Sequence, residues 1–153
     1  MKRRNFVKSA AATGVGLLLL PGCATNSQSA GNKLNIALIG VYGRAKSYWE
    51  NLKTENVVAL CDVNSDNMAL AAKEFPNGKQ YTDWRKCLDQ KDIEAVMIAT
   101  PDHHHAFIAI WAMNRGLHVY CEKPLGECVY EAREVRKTYL ANKNKLATQH
   151  GTQ

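Results

Sequence analysis

From position 34 onward the chain alternates short apolar runs with longer amphipathic stretches. The runs at 36–39 (Ile-Ala-Leu-Ile) and 96–99 (Val-Met-Ile-Ala) are not interrupted by polar residues. That is the pattern of parallel strands covered on both faces. Strands are predicted over 34–39, 57–61, 95–99, 117–121 and 145–148, with a weaker one at 79–81. Helices are predicted between them, over 44–53, 65–75, 84–88, 103–115 and 127–142. The punctuation agrees. Asp102 is placed to cap a helix beginning at His103, and Gly116 to end it in the left-handed conformation. Pro76-Asn77-Gly78 closes the 65–75 helix. Alternation with short links predicts an α/β fold, a doubly wound parallel sheet of Rossmann type over residues 34–153.

Residues 1–23 have a different character. Lys2-Arg3-Arg4-Asn5-Phe6-Val7-Lys8 resembles a twin-arginine export motif, and the apolar run 10–20 is too short to span a bilayer comfortably. Leu20-Pro21-Gly22-Cys23 is similar to a lipobox, with Pro21 in place of the usual small residue. Lipidation of Cys23, plain cleavage nearby and a retained short anchor all stay open, but each puts the mature domain outside the cytoplasm. Residues 24–33 (ATNSQSAGNK) read as a flexible tether. The signal also explains the charge. Of 20 Lys and Arg, four lie in residues 1–23 beside no acid, so the remainder carries 16 basic against 14 acidic residues, a net +2. That near balance removes the charge-based case for nucleic acid binding. Cys61, Cys87, Cys121 and Cys128 show no Cys-x-x-Cys spacing and are read as packing residues, with a Cys121–Cys128 disulfide as the alternative.

Two places carry candidate chemistry. The first strand runs into Gly40-Val41-Tyr42-Gly43-Arg44-Ala45 at the entrance of a helix, where backbone N–H groups can approach a pyrophosphate. The spacing departs from Gly-x-Gly-x-x-Gly, since Tyr42 stands at the second glycine and Ala45 at the third. Asp62 ends the second strand 22 residues after Gly40. It is either a strand-end turn residue or, as favoured here, the acceptor for the adenosine ribose hydroxyls, which selects NAD over NADP. The second place is Glu122-Lys123-Pro124, at the carboxyl end of a strand, where open parallel sheets bind ligands. An ammonium there can stabilise an alkoxide that forms as hydride leaves, although a lysine after a strand is often merely a surface residue.

Taken together, Gly40–Ala45, Asp62, Tyr81-x-Asp83-Trp84-Arg85, Thr100-Pro101-Asp102-x-x-His105 and Glu122-Lys123-Pro124 resemble the Gfo/Idh/MocA oxidoreductase family, in its secreted, twin-arginine-exported branch. The resemblance implies a Rossmann domain binding NAD, followed by a substrate domain, and oxidation of a sugar or cyclitol hydroxyl. It further implies that Gly40, Tyr42, Gly43 and Arg44 line the pyrophosphate and Asp62 the adenosine ribose. Thr100, Pro101, Asp102 and His105 are expected at the nicotinamide half, with Glu122 on its ribose and Lys123 facing the reacting carbon. Pro124 is expected to shape the strand end through a cis peptide. A variant within the family uses bound NAD for transient oxidation and acts as a glycosidase.

The triple histidine 103–105 invites a metal reading, but consecutive side chains at a helix start point about 100° apart, and no second ligand cluster is visible. No metal is expected. His103 and His104 are expected to cover the helix start, and His150 to reach the cleft or sit in a turn. The chain stops where the resemblance would pass into the substrate domain. The sequence is therefore expected to lack that domain and its general base, and to be inactive alone. A homo-oligomer is expected at full length. A nucleotide-binding fragment without catalysis is the reading from a different class.

Overall fold

The computed structural model describes residues 33–152. The signal-like segment and nearly all of the tether lie outside the described residues. Six strands form one sheet: β1 (Asn35–Ile39), β2 (Asn56–Cys61), β3 (Lys79–Tyr81), β4 (Ala95–Ile98), β5 (His118–Glu122) and β6 (Thr148–Gly151). Their order is β3-β2-β1-β4-β5-β6, and every pairing is parallel. This is the doubly wound order, in which successive strands run outward first to one side of β1 and then to the other.

The continuous apolar runs are explained by two cores. Leu38, Leu60 and Met97 point to one face, under α1 (Trp49–Leu52) and α2 (Ser65–Glu74). Ile39, Ile98 and Cys121 point to the other, under α3 (Trp84–Cys87), α4 (His105–Asn114) and α5 (Val129–Asn142). Strand neighbours thus alternate between two dry faces instead of between core and water. The α1 face of β4–β6 is open beside α1. A groove of about 440 Å³ lies there, lined by Tyr48, Leu52, Met97 and Tyr120.

Most predicted elements match within one or two residues, and four expectations need correction. The last strand lies at Thr148–Gly151, not at 145–148. Leu146 packs against the core just before it, and the Ala147 N–H donates to His118 Nδ1 at 2.9 Å. The strand itself is polar because it pairs only with β5, at the sheet edge. The expected 44–53 helix is a 3₁₀ turn, Gly43–Tyr48, followed by the four-residue α1. The Trp49 indole N–H reaches back to the Val41 carbonyl at 3.1 Å, holding this segment tightly over the turn. Asp102 does not cap a helix at His103. It opens a 3₁₀ turn (Asp102–His104), and α4 starts at His105, whose N–H donates to the Asp102 carbonyl. Cys61, Cys87 and Cys121 are buried free thiols, but Cys128 is exposed just before α5. Gly116 ends α4 at φ +81° as anticipated.

Strand order reverses between β1 and β4, and there the two strand ends touch. Gly40 follows β1 with φ +78°, and a Cβ on it would lie 2.6 Å from the Ala99 carbonyl oxygen and 2.8 Å from the Thr100 nitrogen. Both the dihedral and the contact demand glycine. Gly40→Ala is expected to lower stability by about 2 kcal/mol, read from urea unfolding of the full chain. An unchanged midpoint would show that the contact is not tight.

Candidate active site

Outside the carboxyl ends of β1, β2 and β4 lies a cleft of about 420 Å³. It gathers Gly40, Tyr42, Gly43, Asp62, Thr100 and Pro101 from the residues expected to bind a dinucleotide. Asp62 ties the loops together. Its Oδ2 accepts from the Val41 N–H at 3.0 Å and its Oδ1 from the Asn64 N–H at 2.9 Å, so the glycine turn and the β2 end share one carboxylate. Tyr42 sits in extended backbone, φ −123°, where any residue fits. Its ring packs edge-on against Trp49, with centroids 6.1 Å apart. A side chain is tolerated at this glycine position for that reason.

Beside the cleft, Glu122 is only 4% exposed. Three donors converge on its Oε1: Arg44 Nε at 3.3 Å, the Tyr48 hydroxyl, and the Tyr120 hydroxyl at 3.3 Å. The Lys123 N–H meets Oε2 at 3.3 Å. Burial by itself pushes the carboxyl up. The hydrogen bonds from Tyr48, the Lys123 N–H and Arg44 outweigh it and hold the group below the ordinary carboxylate range. Lys123 is exposed at the strand end, and the Lys123–Pro124 peptide is cis.

His103 and His104 lie in the turn that leads into α4, as expected, and His105 is buried behind it. His105 is 1% exposed, with its ring nitrogens 2.7 Å from the Pro124 carbonyl oxygen and 2.8 Å from that of Thr100. It braces the ends of β4 and β5 from behind and does not line the cleft. The helical period explains this, because His105, Ile108, Ala109 and Ala112 form the buried stripe of α4. His104 lines the cleft instead, its imidazole pushed down by burial and by neighbouring His103 and Arg85. Asp102 stands outside the cleft lining. His150 faces a second cavity between α4, α5 and the sheet. Among the described residues no group of three or more His, Cys, Asp or Glu side chains could hold a metal. Tyr48, Tyr120 and Gly151 were not singled out by sequence reasoning. The signals were there in part: Tyr120 shares a strand face with Glu122, and Tyr48 lies four residues after Arg44.

A family model described as an oxidoreductase family with an NAD-binding Rossmann fold matches residues 34–150. The chain belongs to the Gfo/Idh/MocA family. A glycosyl hydrolase family 109 protein of Stenotrophomonas maltophilia is 34% identical, over 92% of this chain and 34% of its own length. Levoglucosan dehydrogenase of Pseudarthrobacter phenanthrenivorans is 38% identical, over 73% of this chain and 31% of its own. The crystal structure of myo-inositol 2-dehydrogenase from Lactobacillus plantarum superposes with a TM-score of 0.73 at 31% identity, covering 78% of this chain and 36% of that one. The chain spans about a third of the length of the curated relatives it matches.

The cleft of this Gfo/Idh/MocA chain fits the NAD of its family. Thr100 Oγ1 is buried at its wall without a hydrogen-bond partner, an orphan that a bound hydroxyl or amide would satisfy. The bare Gly40 backbone brings two strand ends together with no side chain between them. The short 3₁₀ turn supplies little macrodipole, so backbone N–H groups and Arg44 are the groups that would hold the pyrophosphate. Asp62 lines this cleft, and Glu122 lies outside its lining at the end of β5.

Because Glu122 is ionised in the fold to lower pH than in the unfolded chain, its contribution to stability is complete above the ordinary carboxylate range and is lost as pH falls below it. Carboxyl carbon NMR titration is expected to place Glu122 below the ordinary carboxylate range, and Arg44→Gln to move it up. A Glu122 that titrates within that range would contradict the assigned network.

Proposed function

We propose that this chain is the cofactor-binding part of an NAD-dependent oxidoreductase acting on a ring hydroxyl of a sugar or cyclitol. One observation carries the reading: exposed Lys123 stands beside a buried, ionised Glu122 that Arg44 ties to the glycine turn. The similarity to levoglucosan and myo-inositol dehydrogenases supports the substrate class. When bound, the nicotinamide supplies the hydride acceptor. Asp62 accepts from the adenosine ribose, and Glu122 from the nicotinamide ribose. Lys123 Nζ hydrogen-bonds the reacting oxygen and stabilises the negative charge that grows there as the C–H bond breaks. A general base from outside residues 33–152 completes the proposal.

The similarity to a glycosyl hydrolase family 109 protein favours a second reading, a glycosidase that oxidises its sugar transiently and restores NAD in each turnover. One assay separates the two. Sugars and cyclitols offered to the complete protein yield NADH under the first reading. Under the second, glycosides are cleaved without net NADH. In either case Lys123→Ala is expected to lower kcat by about 100-fold or more while NAD affinity changes by less than about threefold. Turnover unaffected by Lys123→Ala would remove lysine from the chemistry.

We propose also that the protein is exported by the twin-arginine route and held in the envelope, by a lipid on Cys23 or as a free periplasmic domain. Lys2-Arg3-Arg4 and the apolar run before Cys23 support this. Mass spectrometry of the envelope fraction is expected to find a mature N-terminus at or just after Cys23. An intact Met1 on cytoplasmic protein would refute export.

A further inference from the structure

A glutamate's terminal torsion is soft and roughly two-fold, so its carboxylate keeps one orientation only when its surroundings impose it. Arg44 does not suffice. Its side chain is 42% exposed and its Nε stands 3.3 Å away, a long contact for a charge-assisted bond. Tyr48 is better placed. Its hydroxyl bonds Oε1 directly, and its ring is set edge-on to Tyr120, with centroids 5.5 Å apart and planes at 63°. Tyr120's own hydroxyl lies 3.0 Å from that of Tyr48. Both tyrosines line the groove on the α1 face, not the dinucleotide cleft, so they approach Glu122 from behind.

Gly151 completes the seat. It pairs in register with Glu122 in the parallel β5–β6 ladder, so a side chain there would leave the sheet on the same face. A Cβ at Gly151 would lie 2.8 Å from Glu122 Cδ and 2.9 Å from each carboxylate oxygen. The carboxylate occupies the space that a side chain on residue 151 would need.

We propose that Tyr48 and Gly151 are positioning residues for Glu122, together presenting its Oε2 to the ribose hydroxyls next to the nicotinamide. The inference rests on the NAD-dependent reading above. Tyr48 and Arg44 donate to Oε1, and the single Tyr120 proton is shared between Oε1 and the Tyr48 oxygen, so the carboxylate cannot turn without breaking these bonds. Oε2, met by a single backbone N–H, keeps lone-pair capacity for a ligand hydroxyl. Residues outside the cleft therefore act on one half of the dinucleotide and not on the other.

Calorimetry on the full chain, using NAD, ADP-ribose and ADP as probes, tests this. ADP lacks the second ribose and reads only the adenosine half. Tyr48→Phe is expected to weaken NAD and ADP-ribose by about fivefold and to leave ADP unchanged. Gly151→Ala is expected to show the same selectivity with a larger loss, about tenfold. In the background of Glu122→Gln, Tyr48→Phe should have no further effect. Retained ADP binding also reports that each variant has folded. Equal weakening of ADP would mean a merely structural role, and unchanged NAD affinity or multiplying losses would mean that Glu122 is not the target; each overturns the proposal. A wild-type chain that binds neither NAD nor ADP would instead sink the dinucleotide reading, and this inference with it.

Discussion

The buried carboxylate of Glu122 is the constraint around which this end of the sheet is organised. A carboxylate taken out of water costs on the order of several kcal/mol unless its oxygens are matched. Here the matching groups come from different parts of the chain. Arg44 and Tyr48 descend from the turn after β1, Tyr120 sits two residues back on β5, and Lys123 offers its own N–H. The β6 edge withdraws to a bare glycine to make room. A single charge thus joins the glycine turn to the strand end that bears Lys123.

His105 does the corresponding work on the opposite face. Glu122 and His105 are the buried polar or charged side chains among the described residues. The His105 ring lies between the carbonyls of Thr100 and Pro124, within hydrogen-bond distance of each, and its tautomer sets which one it donates to. Lys123 precedes the residue whose carbonyl meets this buried ring. The cleft itself is left with what a dinucleotide can use: the Gly40 turn, the Asp62 carboxylate and an unpartnered Thr100 hydroxyl.

Much of this was legible along the chain. The uninterrupted apolar runs at β1 and β4 announce central parallel strands, and the observed strand order agrees. Asp62 and Gly40 were identifiable because a strand end and a tight turn each impose a local chemical demand. Where the reading slipped, packing had overruled local pattern. Leu146 and Ala147 look like a strand but are its approach, since an edge strand may be polar. Helical phase puts His105 on the buried stripe of α4 and leaves His104 at the cleft, which motif position does not reveal. Cys128 looked like its buried counterparts, but it precedes α5 on an exposed turn.

The sequence by itself determined the fold class and the family, because periodicity and strand-end residues are local properties that survive without coordinates. It placed Gly40, Asp62, Glu122 and Lys123 at the carboxyl edge of a parallel sheet. Only the tertiary structure decided how those residues act on one another. Tyr48 and Gly151 lie 74 and 29 residues from Glu122 in the chain, and chain separation does not bring either to its carboxylate. Their roles arise from the order in which β1, β5 and β6 assemble. A carboxylate's orientation depends on where donors stand in space, and chain separation carries no information about that.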